Sequence, residues 1–580
     1  MFDAKNVWKE RVLTVLDSLL EEYGLAERLS GEKIIVEKPP KPELGDLAFP
    51  MFPYAKLFRK GPPRIAAAAA AKLNGSFRGG VAAAAGPYVN LRLERGPSAR
   101  AILEAVFDGG KDFCRSDVLK GRRVMVEFSS PNTNKPLHLG HLRNDVLGES
   151  VSRILAACGA DVRKVCIIND RGIHICKSML AYTEKFKGRT PEDSGKKSDH
   201  FVGDCYVEFN RMLKADGGAE ERARELLRKW EAGDEATAAL WKKMNGWAVS
   251  GIKETYKRTG ISFDKYYFES ETYLRGKEEV LKGLEKNIFY READGSVWAD
   301  LTAENLDKKT LLRGDGTSLY ITQDFGTAIL RHDDWPFDKL VYVVGSEQRY
   351  HFQVLFTLLL RLGFGWARNL YHLSYGMVNL PDGRMKSREG TVVDADELID
   401  RLRGMALAEI REKEREEAVG NAEETAESIA LGALHYYLLQ VTPERDMLFK
   451  PAESLSFNGN TGPYLQYMGA RISSILKKEN AKNDYSGAEL LSSDAEWELL
   501  KTIAAWPETV SEAAEKMNPS IITNWAYELS KNFSRFYHEC PILGAENAAL
   551  KAARTALCRA VLRVLKAAFN LVCIPFLEAM

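Results

Sequence analysis

Apolar and polar positions change period several times along the chain, and each change marks an element. Near the N-terminus Val7, Trp8, Val12, Leu13, Leu19 and Leu20 recur at helical spacing. A proline-rich turn at 38–42, the run Gly45-Asp-Leu-Ala-Phe-Pro50, an alanine-rich helix from Ile65 to Leu73 and a strand over 88–93 follow, so residues 1–115 read as an α+β module. From Arg122 the alternation is strand, helix, strand. Val124, Met125 and Val126 predict a strand over 124–128. Leu147, Val151, Ile154, Leu155 and Cys158 recur every 3.6 residues until Gly159, the expected C-terminal cap, and Val162 to Ile168 is the next strand. Further strands are expected over Ser318 to Asp324, followed by an apolar helix, and over Leu340 to Val344, with Gly345 to His351 opening another helix and Tyr371 to Leu380 leading into the loop at 383–390. Short apolar strands separated by amphipathic helices imply an α/β fold over 116–404, a doubly wound parallel sheet with its ligands at the carboxyl ends of the strands. Within it, 184–260 is charged, interrupted and rich in Lys, Glu, Trp and Gly, a helical insertion. From 405 to 580 the spacing is helical throughout, including a charged stretch from Glu409 to Glu427, and predicts an all-α bundle.

At 580 residues the chain is too long for one core. Its 81 basic and 81 acidic residues exclude a uniformly basic nucleic-acid coat, so any RNA-binding surface is segregated. Eight cysteines are scattered without a CxxC pair, several inside apolar runs, and read as reduced core residues. The N-terminus lacks a signal-peptide apolar core and no run of about 20 apolar residues occurs. A cytoplasmic protein without a membrane partner is expected, and a monomer, since no coiled-coil or dimerisation segment stands out.

The densest chemistry follows the strand at 124–128. Ser129, Ser130, Pro131 and Asn132 form a turn, then His138-Leu-Gly-His141 opens a helix. A helix start just after a strand aims free N–H groups and a positive dipole end at the loop, which suits a phosphate. His138 and His141 stand three residues apart, and Gly140 between them lets a flat base or ribose approach the backbone. Alone, such a pair is as readily a capped helix end or half of a metal site as a nucleotide contact. Metal is disfavoured because no cysteine or carboxylate stands nearby at ligand spacing.

His-Leu-Gly-His after a strand, with Gly383-Arg-Met-Lys-Ser-Arg-Glu-Gly390 far downstream, resembles the two signatures of class I aminoacyl-tRNA synthetases. Glu127 to Pro136, Leu319 to Asp324, Asn458 to Tyr467 with Ala470-Arg471, and Phe533 to Cys540 are similar to segments of the arginyl-tRNA synthetases. So are Gly45-Asp46 and the run from Gly86 to Leu91, which resemble that family's N-terminal tRNA-elbow domain. The resemblance spans nearly the whole chain and implies a Rossmann-like catalytic domain, ATP with Mg²⁺, L-arginine and tRNA(Arg) as partners, and no structural metal. It implies that Glu127, Ser129, Tyr320 and Asp324 line an arginine pocket, with Asn132 and Gln348 holding the α-amino and carboxylate groups. His138, Gly140 and His141 would meet ATP, and Met385, Lys386, Ser387 and Arg388 would lie over the pyrophosphate. Tyr464, Tyr467 and Arg471 become candidates for tRNA contact, as do Arg559 and Arg563, which share a face with Lys566 that otherwise reads as a solvated basic stripe.

Two departures matter. The downstream loop reads Arg384-Met-Lys-Ser-Arg388, without the family's second lysine, and Lys135 could supply that cation from the other side. Asn169-Asp-Arg-Gly-Ile-His174 stands where the family commonly has Trp before the glycine and Gln after it, and His174 becomes a candidate for contact with the adenosine or the tRNA end. Two other classes stay open: another nucleotidyl transferase or class I synthetase, which would lack an acidic pocket, and a non-catalytic tRNA-binding paralogue, which would have lost a signature histidine or the loop cations.

Overall fold

The computed structural model describes residues 4–31, 34–110, 112–379, 393–478 and 484–580. They fall into two compact units. One gathers Met1–Cys114, Arg471–Glu508 and Tyr527–Leu565, and the other Arg115–Ala470, Thr509–Ala526 and Lys566–Met580.

In the first unit the helix Ala4–Glu22 buries Trp8, Val12, Val15, Leu16, Leu19 and Leu20, while Val7 stays exposed. It belongs to an α+β layer whose antiparallel sheet places Tyr88–Leu93 between Leu47–Pro50 and Gly80–Ala85. The last strand, Gly-Val-Ala-Ala-Ala-Ala, was not foreseen, because alanine runs favour helix. The Asn74 side chain holds it, donating to the Ala82 carbonyl and accepting from the Ala82 N–H, each at 2.8 Å. Gly45 cannot carry a side chain: its φ is +123°, and a Cβ would stand 2.7 Å from the Leu91 carbonyl oxygen. Next to it, Asp46 accepts from the Leu93 N–H (2.9 Å) and from Trp497 Nε1 (2.8 Å), which ties the helix Asp494–Ala504 into the same unit.

The second unit is built on five parallel strands: β1 (Arg123–Glu127), β2 (Asp161–Ile168), β3 (Lys265–Phe268), β4 (Lys339–Gly345) and β5 (Leu370–Tyr375). Their spatial order is β5-β4-β1-β2-β3. The chain direction of winding reverses between β1 and β4, and a crevice at that switch point is where such sheets take ligands. Four helices position what lines it: α1 (Leu139–Ala157), α2 (Glu269–Glu285), α3 (Tyr320–Asp334) and α4 (Ala395–Glu412).

Several expectations need correction. Ser318 to Asp324 is not a strand, since α3 begins at Tyr320. Ile321, Phe325, Ala328 and Ile329 are one buried helical stripe, and a reading stopped at Asp324 truncates it. The strand β3 and a small antiparallel sheet of Tyr290–Arg291, Val297–Ala299 and Lys309–Leu312 were missed. The charged stretch 409–427 is broken into three helices, with Glu414 and Gly420 at φ of 50° and 74° between them, and α4 runs through the position expected to separate 404 from 405. Within 184–260, the helices Ser198–Ala215, Ala219–Glu231 and Glu235–Thr259 share a core with Met179, in which Phe201, Phe209 and Met244 are buried.

Candidate active site

At the end of β1 the chain turns sharply. Ser129 and Ser130 have φ of 76° and 52°, a conformation uncommon outside glycine, held here by surrounding bonds. The Ser129 N–H donates to Asn144 Oδ1 (2.6 Å), and the Asn144 amide donates to the Val343 carbonyl (2.8 Å) and the Tyr375 hydroxyl (3.1 Å). One α1 side chain thereby clamps the turn to β4 and β5. The Ser129 hydroxyl, expected in the arginine pocket, is buried against Tyr256 OH at 2.6 Å. Ahead of it the loop is pinned to the end of β2, where Asn169 N–H donates to the Pro131 carbonyl and Thr133 N–H to the Asn169 carbonyl. Asn132 is left exposed.

The two histidines cap α1. His138 Nδ1 accepts from the Gly140 N–H and His141 Nδ1 from the His138 N–H, both at 3.1 Å, with ring centroids 3.9 Å apart. An acceptor Nδ1 puts the proton of a neutral imidazole on Nε2, so both rings can offer N–H donors away from the backbone. Neutral is their state near pH 7: burial, then the nearby Lys135 charge, pushes His138 down to about 4. Burial, His138 and Lys135 push His141 well below its ordinary value. Lys135 is itself lowered by burial, and is packed beside helix Ser198–Ala215, where a Cβ on Gly203 would stand 3.9 Å from Lys135 Cα. A triphosphate arriving here would meet one half-buried cation and a pair of imidazole donors. Met385, Lys386, Ser387 and Arg388 lie outside the described residues. The chain just after them is tied to the same motif, with Leu139 N–H donating to the Val393 carbonyl (3.1 Å) and Ala395 N–H to the Leu137 carbonyl (3.0 Å). In the second turn of α1, Asp145 is 1% exposed, and burial pushes its pKa up to about 8 against a hydrogen bond from Ser129.

At the switch point, Glu127 and Tyr342 are register partners on β1 and β4. Glu127 is buried and ion-paired with the fully buried Arg331. Asp324, half-buried on α3, bonds His351 Nε2 at 2.5 Å. Glu269, where β3 meets α2, is buried; burial raises its pKa to about 7 against the opposing charge of Arg171, and Asp170 and Asp324 raise it further. With its amide oriented to satisfy both neighbours, Gln323 donates to Glu269 (2.8 Å) and accepts from Arg171 (3.0 Å). Tyr320 stands at the mouth, 75% exposed, and Gln348 is exposed just past β4. Glu127, Asp324 and the unforeseen Tyr342, Arg331 and Glu269 are therefore linked around one wall: Arg331 pairs with Glu127 and lies 5.8 Å from the ring of its register partner Tyr342, and Gln323, next to Asp324 on α3, bonds Glu269. Missing β3 is what hid Glu269. A carboxylate immediately past a parallel strand is the signal that would have found it.

Other groups are already engaged. Asp199, His200 and Asp396 cluster closely enough for an ion, but Lys197 Nζ lies 3.1 Å from Asp199 and 2.7 Å from Asp396 and neutralises them. His174 Nδ1 is 3.2 Å from Tyr206 OH. Among the candidates for tRNA contact, Tyr464 and Tyr467 are half-buried on the helix Gly462–Lys477, and Arg471 lies over the Tyr537 ring at 4.9 Å. Arg563 donates to the Val106 carbonyl at 2.8 Å, and Lys566 pairs with Glu578, so the stripe containing Arg559 is not a simple solvated face.

Comparison with known proteins gives the decisive observation. Residues 106–450 match the family model "tRNA synthetases class I (R), catalytic domain", 6–93 the "Arginyl tRNA synthetase N terminal domain" and 465–580 the "DALR anticodon binding domain". The chain belongs to the class I arginyl-tRNA synthetase family. The arginine–tRNA ligases of Treponema denticola and Treponema pallidum subsp. pallidum are 57% and 54% identical to this synthetase, each over 100% of both chains. Among solved structures, Thermus thermophilus arginyl-tRNA synthetase superposes with a TM-score of 0.79 at 25% identity over 100% of both chains. The Plasmodium falciparum enzyme reaches 0.77 at 20% identity over 99% of each, which speaks for the fold. Among the described residues no helix of the synthetase is long and apolar enough to cross a membrane.

Proposed function

We propose that this synthetase is an arginine–tRNA ligase. The carboxylate of L-arginine attacks the α-phosphate of ATP, pyrophosphate leaves, and a hydroxyl of the terminal ribose of tRNA(Arg) then attacks the carbonyl of the adenylate, releasing AMP. The observation that carries this reading is the pocket wall at the switch point: Asp324 and Glu269, converging with Glu127 beside Tyr342. A guanidinium is a planar cation with a fork of donors and is selected by carboxylates set to receive the fork. Asp324 and Glu269 take the guanidinium, Tyr320 covers the mouth, and Glu127, Asn132 and Gln348 hold the α-amino and carboxylate ends.

At the other end the Nε2–H groups of His138 and His141 donate to phosphate oxygens, and Lys135 adds a cation opposite Lys386, Ser387 and Arg388, with Met385 and Gly140 flanking the nucleotide. In-line transfer needs positioning and charge stabilisation more than covalent help from the protein. Mg²⁺ would arrive with the triphosphate, held mainly by phosphate oxygens and water. Residues 1–115 and 405–580, with Tyr464, Tyr467, Arg471, Arg559 and Arg563, hold the tRNA, and 116–404 the chemistry. The test is ATP–pyrophosphate exchange with each of the twenty amino acids, with and without tRNA. Arginine-selective exchange is expected; exchange driven by another amino acid, or none with tRNA present, overturns the reading.

A further inference from the structure

On α3, Tyr320, Asp324, Thr327 and Arg331 are spaced i, i+4, i+7 and i+11, one face of the helix. That face runs from Tyr320, 75% exposed, down to Arg331, 1% exposed. At its lower end the Arg331 guanidinium grips one oxygen of Glu127, while the other oxygen accepts from the Ser130 hydroxyl at 3.3 Å. The guanidinium carbon lies 5.2 Å from the Tyr267 ring and 5.8 Å from the Tyr342 ring. The Tyr342 hydroxyl lies beside the same guanidinium, whose charge and hydrogen bond it feels. One carboxylate, Glu127, thus carries the charge compensation of a fully buried cation. Such a pair contributes little net stability, because desolvating both charges costs about as much as their attraction returns. Its position suggests another use, since it joins the end of β1 to the helix that carries Asp324.

We propose that Arg331 is a positioning residue for amino-acid recognition: by tying Glu127 to α3 it sets the spacing between the carboxylate at the α-amino end of the substrate and Asp324 at its guanidinium end. This rests on the arginine pocket assigned above. The tie makes the distance between the two cationic ends of the amino acid a property of one helix and one strand end. A shorter or longer diamine-like side chain would then engage one end only.

The experiment uses the full chain in arginine-dependent pyrophosphate exchange with tRNA present. Arg331→Met fills similar space without charge, and Arg331→Lys keeps charge with a different reach. In Arg331→Met the KM for arginine should rise at least about tenfold, the scale of one charge-assisted hydrogen bond, with the KM for ATP within about twofold. Arg331→Lys should recover most of that loss, to within about threefold of the parent, since the pair survives. Where Arg331→Met fails to fold because Glu127 is stranded, the comparison moves to Glu127→Gln with and without Arg331→Met. Removing the arginine after Glu127 is neutral should then leave the KM for arginine unchanged, the coupling expected of two residues that act through each other. An unaltered KM for arginine in Arg331→Met, an equal rise for arginine and ATP, or a full further loss in the Glu127→Gln background each overturns the proposal. None of these depends on whether the parent is arginine-selective, which the amino-acid panel decides separately.

Discussion

Glu269 offers a sharp pH test of the acidic pocket. Its carboxyl titrates at about 7 because burial outweighs the Arg171 charge while Asp170 and Asp324 repel a further negative charge. Only the ionised form accepts a guanidinium strongly, and kcat/KM for arginine reports the free enzyme. With a pKa of about 7, roughly one tenth of the molecules carry the anion at pH 6 and nine tenths at pH 8, so kcat/KM should rise about tenfold across that window. Glu269→Gln removes the titration, flattens the rise and lowers the value at pH 8 by about 10- to 100-fold, the cost of one charge-assisted hydrogen bond. The assay is pyrophosphate exchange at saturating MgATP and tRNA, with arginine well below its KM, from pH 5.5 to 8.5. Linkage gives an independent sign. A carboxyl whose folded pKa is raised costs stability as pH climbs from its unfolded value toward about 7, so Glu269→Gln should be relatively more thermostable at pH 8 than at pH 5. A variant that keeps the parental inflection near 7 would show that some other group titrates, and the assignment of Glu269 to the pocket would fail.

Three further outcomes are expected. Lys135→Ala should slow arginine activation by about 10²-fold, the scale of one transition-state charge contact; near-normal turnover would remove Lys135 from the phosphate site. Asp145→Asn should raise the thermal midpoint above neutrality and change it little near pH 4. The unfolded carboxyl ionises near 4 while the folded one keeps its proton up to about 8, so the parent loses stability between those values, and a gain of roughly 5 °C at pH 8 is expected; equal midpoints at pH 4.5 and pH 8 for the difference between variant and parent would contradict the buried-acid account. Gly276→Ala places a Cβ 1.7 Å from the Thr322 carbonyl oxygen, where α2 crosses α3. It should lower the midpoint by several degrees and raise the KM for arginine, since Asp324 and Glu269 ride on those two helices; calorimetry showing no loss would mean the crossing relaxes at little cost.

Much of the architecture was legible because it rests on local period. The strand at Val124 to Val126, the helix closing at Gly159, the strands ending near Ile168 and Val344 and the helical C-terminal stretch all announce themselves within a window of about ten residues. The imidazole pair could be placed at a helix start because a cap depends on its own few residues, and the structure shows each ring bonded to backbone two or three positions away. Where the local signal was shared between two periods it misled. Ser318 to Asp324 alternates enough to pass for a strand, and only the packing of Ile321, Phe325, Ala328 and Ile329 into the core makes it the start of a helix.

What the sequence by itself determined is therefore most of the helices and the central strands β1, β2 and β4, and the residue types able to serve a crevice at their carboxyl ends, since propensity, capping and turn chemistry act between near neighbours. Only the tertiary structure decided which charges meet. Glu127 is bonded by an arginine 204 positions away, the Ser129 hydroxyl reaches a tyrosine 127 positions away, and Glu269 approaches Asp324 from a strand too short to announce itself. Those pairings depend on how the helices cross the sheet, and helix crossing is set by packing between distant segments, which no local pattern encodes.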